Sequence, residues 1–149
     1  MAKELLVGEL LTEPMIDAGE RLLRRLRSEP SRFDVVAALW LYFSEAQEWR
    51  LVLASPRVDR DGPRGLYTDL LTLLYDQDAH KAIGLALQNI TFLSDKDKLV
   101  RTLASVNERT RLAGQKLHES FFNGVYVEDA YVYFIEANVK PLRGAEWYL

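Results

Sequence analysis

Five side chains in the last third of the chain are able to do acid–base or metal chemistry: Lys116, His118 and Glu119 before an Asn123-Gly124 pair, and Glu128 and Asp129 after it. Asn-Gly between runs rich in Phe, Tyr and Val predicts a two-residue hairpin turn, and the turn sets the register. Phe122 then opposes Val125, Phe121 opposes Tyr126, Glu119 opposes Glu128, and His118 opposes Asp129. Two glutamates across a ladder repel unless a proton, a cation or water intervenes. Glu119, Glu128 and Asp129 would in that case hold magnesium or manganese for phosphodiester hydrolysis, with Lys116 stabilising the developing charge. The plainer reading is a wet sheet face on which His118 pairs with Asp129. It carries more weight, because no defined catalytic motif is matched and one bulge near Glu128 would separate the partners. On that reading there is no metal site, and no cofactor is called for.

Other chemistry is thinly represented. The chain has no cysteine, which removes disulfides, thiol nucleophiles and thiolate metal sites. Gly-x-Ser-x-Gly, Gly-x-x-x-x-Gly-Lys and His-Glu-x-x-His are all missing, and nothing selects a serine–histidine–acid triad. His80 follows Asp76 and Asp78 and reads as a surface residue in a connection. Arg21, Arg24 and Arg25 fall at i, i+3 and i+4, on one helical strip. That strip would suit an acidic partner or phosphate, but a solvated face favoured by the helix dipole and by pairing with Asp17 and Glu20 explains it as well.

The elements that must position these groups come next. Thr12 as N-cap, Pro14 in the first turn and Met15, Gly19, Leu22 and Leu26 at helical spacing predict a helix over 13–27. Residues 35–43 are nine consecutive apolar residues, preceded by Asp34 as a possible cap and including Ala37-Ala38; they predict a buried helix. Residues 49–55 alternate as a strand that Pro56 ends. Residues 57–65 are polar and turn-rich and read as a surface loop, with Arg57, Arg60 and Arg64, or Asp59 and Asp61, as ion-binding candidates that an ordinary solvated connection makes unnecessary. Leu66, Leu70 and Leu73 mark an amphipathic helix, and residues 90–93 a strand. Ser94 with Asp97 fits a capping box before a helix with Leu99, Leu103 and Val106 on its stripe. Residues 125–135 also fit helical spacing through Val127, Ala130, Tyr131, Phe134 and Ile135, but their Tyr, Val, Phe and Ile content favours a strand.

The expected architecture is a single α+β or mixed α/β domain over 1–149, with a small sheet that includes a C-terminal hairpin and is covered by about four helices. Residues 138–149 form a possible docking tail, in which Trp147, Tyr148 and Leu149 pack on their own domain or on another chain. A net charge of −3 gives no general attraction to nucleic acid or anionic lipid. No run approaches the ~20 apolar residues of a membrane span, and the first residues do not resemble a secretory signal, so a soluble cytoplasmic protein is expected.

The function expected first is a non-catalytic interaction or accessory protein, a subunit of a larger assembly or a homo-oligomer. Its binding residues would come from the Tyr126, Tyr131 and Tyr133 ribbon and from Trp147 and Tyr148. The metal-dependent hydrolase, with a nuclease as its specific form, is the alternative. A nucleic-acid or nucleotide binder using Arg21, Arg24 and Arg25 comes third, disfavoured by the net acidity.

Overall fold

The structure, a computed structural model, describes residues 10–76 and 79–142, without the side chain of His80. Helix α1 (Glu13–Arg27) begins where Thr12 Oγ1 accepts from the Met15 N–H at 3.3 Å, and it buries Ile16, Ala18, Gly19, Leu22, Leu23 and Leu26. The short helix α2 (Pro30–Phe33) leads into strands β1 (Ala37–Phe43) and β2 (Glu48–Ala54). Helices α3 (Arg57–Asp61), α4 (Pro63–Tyr75) and α5 (Ala79–Ile83) then carry the chain to β3 (Ile90–Leu93). Helix α6 (Lys98–Arg109) and the hairpin β4 (Lys116–Phe122) and β5 (Val125–Ile135) follow.

The strands form one five-stranded sheet in the order β3-β2-β1-β5-β4. Only β2 and β3 run parallel, joined by the α3–α5 connection; the other pairs are antiparallel. Trp40, Tyr42, Trp49, Leu51 and Leu53 face α1 and α4, whereas Leu39 and Val52 face Leu103 of α6. The sheet is thus a middle layer between helices, in a single α+β domain.

The stretch at 35–43 is a strand and not the expected helix. A central strand covered on both faces has no polar side, so its sequence is continuously apolar like that of a buried helix. Ala37 and Ala38 are buried at 1% and 0%; Ala37 packs with Ala54, Val100 and Ala104, where small side chains let α6 approach the sheet. Asp34 does not cap a helix start. It closes α2 at φ 50°, its N–H donating to the Pro30 carbonyl at 2.8 Å.

The expected loop at 57–65 is instead α3 and the start of α4. Arg57 bonds Asp61 one turn on at 2.7 Å, and Gly62 at φ 83° ends α3 just before Pro63 opens α4. Gly after one helix and Pro at the start of the next is the ordinary punctuation of helix ends. Ser94 is likewise not the cap of α6. Asp97 is, accepting from the Leu99 N–H at 2.9 Å, while Ser94 Oγ donates to Asp59 at 2.6 Å.

Residues 125–135 are the strand expected of them, and β5 contains a bulge. Its register with β1 slips between Ala38↔Phe134 and Leu39↔Val132, so Tyr133 is an extra residue. A bulge re-aims side chains, and here Tyr131, Tyr133 and Phe134 all pack toward the α1 side of the sheet. After β5 the chain returns along α6: Val139 and Leu142 are buried, and Ser105 Oγ donates to the Leu142 carbonyl at 3.0 Å. Trp147 and Tyr148 lie outside the described residues.

Candidate functional site

Three of the four hairpin pairs expected from the Asn123-Gly124 turn are present: Phe122↔Val125, Phe121↔Tyr126 and His118↔Asp129. The fourth is not. Glu119 has φ 44°, in the left-handed region, and the ladder lacks a Glu119↔Glu128 pair. His118 Nδ1 and Asp129 Oδ1 are 2.7 Å apart, and His118 Nε2 lies 3.6 Å from Glu119 Oε2. The Asp129 hydrogen bond, then its charge, raises the His118 pKa above the ordinary histidine value.

This pair resembles part of a catalytic relay, but its surroundings do not complete one. His118 is 70% exposed, and the nearby Ser120 hydroxyl donates to the His118 carbonyl at 3.1 Å instead of meeting the ring. Among the described residues no group of three or more His, Asp or Glu is arranged to hold a metal ion. Lys116, His118, Glu128 and Asp129 do share one depression of about 560 Å³, floored by Tyr42 and Trp49. Glu119 is outside its lining.

The arginine strip is divided by its contacts. Arg21 donates through Nε and Nη2 to the Ile83 carbonyl at 3.1 and 2.9 Å, tying α1 to α5. Arg24 pairs with Glu20 at 3.0 Å on the surface, and Arg25 is exposed. Sequence reasoning passed over Arg27, whose guanidinium lies 4.2 Å from the Phe134 ring centre and bonds Glu136 at 2.8 Å. Its spacing of three from Arg24 was the available signal.

The tyrosines divide as well. Tyr133 is structural: its hydroxyl accepts from Trp40 Nε1 at 2.9 Å and donates to the Ile16 carbonyl at 2.6 Å, and burial raises its pKa. Tyr131 meets the Tyr133 ring edge-on at 5.1 Å and is half-buried. Tyr126 meets Phe121 at a tilt of 44°, ring centres 5.3 Å apart, near the hairpin turn, the two being 49% and 71% exposed. Phe121 was not anticipated as a site residue; its exposure follows from the hairpin lying at the sheet edge.

No protein-family model matches the chain, and neither a curated protein nor a solved structure matches it. No helix among the described residues is long and apolar enough to cross a membrane.

Proposed function

We propose that this chain is a non-catalytic protein-interaction domain, an accessory subunit of a cytoplasmic assembly, that contacts its partner through the β4–β5 hairpin. The observation that carries this reading is the Phe121–Tyr126 pair, two aromatic side chains in tilted contact left 71% and 49% exposed. Fully burying one large apolar side chain contributes about 1.5–3 kcal/mol, so such a pair in water is a ready anchor for an interface. The contact uses the hairpin face and not its backbone edge. Lys116, His118 and Glu119 lie along β4, and the positive φ of Glu119 interrupts its ladder; both features discourage an added strand.

A photocrosslinking residue placed at Phe121 in the full chain, in the cells that produce it, tests this reading. The expected result is one discrete adduct that is lost when Tyr126 is also changed to Ser, with no adduct from Leu71, an exposed apolar residue on α4. Sedimentation then separates a second copy of the chain from a different partner. Equal labelling from both positions, or none from Phe121, overturns the proposal.

A further inference from the structure

We propose that the cleft between the C-terminal half of α1 and strand β5 binds a peptide segment in which acidic residues adjoin an aromatic one. The cleft encloses about 580 Å³, with Glu20, Leu23, Arg24 and Arg27 on its helix side and Tyr131, Tyr133 and Phe134 as its floor. That volume is comparable to the roughly 300–1,000 Å³ of small-molecule pockets, though the cleft is open to solvent along its length.

Charge selects the acidic component. Residues 20–27 hold four arginines and one glutamate in a chain of net charge −3. The Arg24–Glu20 pair is 73% and 55% exposed, and an i,i+4 pair in water contributes little, so Arg24 is readily exchanged to a ligand carboxylate. Arg25 has no ion-pair partner among the described residues, and Arg21 spends its donors on a neutral carbonyl. The negative end of the α1 dipole accounts for some of this positive charge but not for the aromatic floor beside it.

The floor selects the aromatic component. Tyr133 is fixed by Trp40 and Ile16, so that part of the surface is formed before any ligand arrives, and Arg27 lies over Phe134 at 4.2 Å while bonding Glu136 at 2.8 Å. Tyr131 presents its ring beside Tyr133, and its hydroxyl has no hydrogen-bond partner among the described residues. A ring from the peptide would pack on this surface while a neighbouring carboxylate meets Arg24 and the Tyr131 hydroxyl. Glu20 in the lining, and Glu136 paired with Arg27 beside it, disfavour a polyphosphate strand, whose charges cannot be spaced to avoid them.

A displayed library of 12-residue peptides, selected on the full chain and counter-selected on Arg24→Glu, tests the site without knowledge of the natural partner. Enriched peptides should place Asp or Glu within a few residues of Trp, Tyr or Phe. Their binding, followed by fluorescence anisotropy, should weaken about tenfold in Arg24→Glu and weaken with added salt. Phe121→Ser should leave it unchanged, which separates this site from the hairpin contact. Tyr131→Phe, which deletes only the hydroxyl, should weaken it less than Arg24→Glu. No enrichment, enriched peptides without acids, or binding indifferent to Arg24→Glu overturns the inference, as does tighter binding of oligo-dT than of any selected peptide.

Discussion

The hydroxyl of Tyr133 occupies the space in which a side chain at Gly19 would begin: a Cβ on Gly19 would lie 2.2 Å from Tyr133 Oη and 3.0 Å from Trp40 Nε1. Glycine in the middle of α1 is therefore required by the bulged residue of β5 and the central tryptophan of β1. Gly19→Ala should lower stability by about 1–3 kcal/mol, as overpacking does, although alanine alone favours a helix by about 1 kcal/mol. Tyr133→Phe should also cost about 1–3 kcal/mol, because it leaves the buried Trp40 N–H without its acceptor. The two changes share one contact, so the double variant should be less destabilised than the sum of the singles. Urea unfolding followed by tryptophan fluorescence measures all three.

Arg57 joins three parts of the fold. Its side chain, 14% exposed, bonds Asp61 at 2.7 Å, Asp69 at 3.1 Å and the Arg32 carbonyl, so α2, α3 and α4 meet at one guanidinium. Arg57→Ala should cost about 1.5–3 kcal/mol, the range for hydrogen bonds to charged groups. Arg57→Lys should recover little of it, since an ammonium cannot serve three acceptors in the plane of the guanidinium. Thermal unfolding of the two variants beside the wild type checks both expectations.

What could be read from the sequence was governed by how many faces of an element meet water. Helix α1 has one wet face, so its stripe, its Thr12 cap and its ends were legible, and the Asn123-Gly124 turn carried the hairpin register with it. Strand β1 has no wet face, and the two-residue period that would have marked it as a strand was erased by burial on both sides. The 57–65 segment misled for the opposite reason: its polar residues bond each other, through Arg57 and Asp61, so turn-like composition concealed a helix. At the candidate site His118↔Asp129 followed from counting, whereas the left-handed Glu119 and the Tyr133 bulge are departures from ideal strands that no periodicity encodes.

The His118–Asp129 pair predicts a small pH dependence of defined sign. Hydrogen bonding and charge from Asp129 raise the folded-state pKa of His118 above its unfolded value, so the folded state holds the proton more tightly. The resulting stabilisation is complete below the unfolded pKa, about 6.5, and disappears as pH rises through the folded one. Asp129→Asn should bring the His118 titration midpoint down and flatten this dependence. NMR titration of the His118 ring shows the first, and urea midpoints on either side of neutrality show the second; a midpoint unchanged in Asp129→Asn would refute the assignment of the shift to Asp129.

Glu119 is held at φ 44° in the middle of an edge strand, a conformation that costs an L residue about 1–2 kcal/mol relative to ordinary backbone and costs glycine almost nothing. Its side chain is 67% exposed and, among the described residues, lies 3.6 Å from His118 Nε2, a contact too exposed to offset that strain. Glycine also loses more backbone freedom on folding, which takes back part of the gain. Glu119→Gly should therefore be neutral or more stable by up to about 1 kcal/mol, whereas Glu119→Val, β-branched at a positive φ, should be less stable than wild type. If chemical denaturation ranks valine above glycine, β4 is regular at this position in solution, and the interruption that argues against edge pairing is not there.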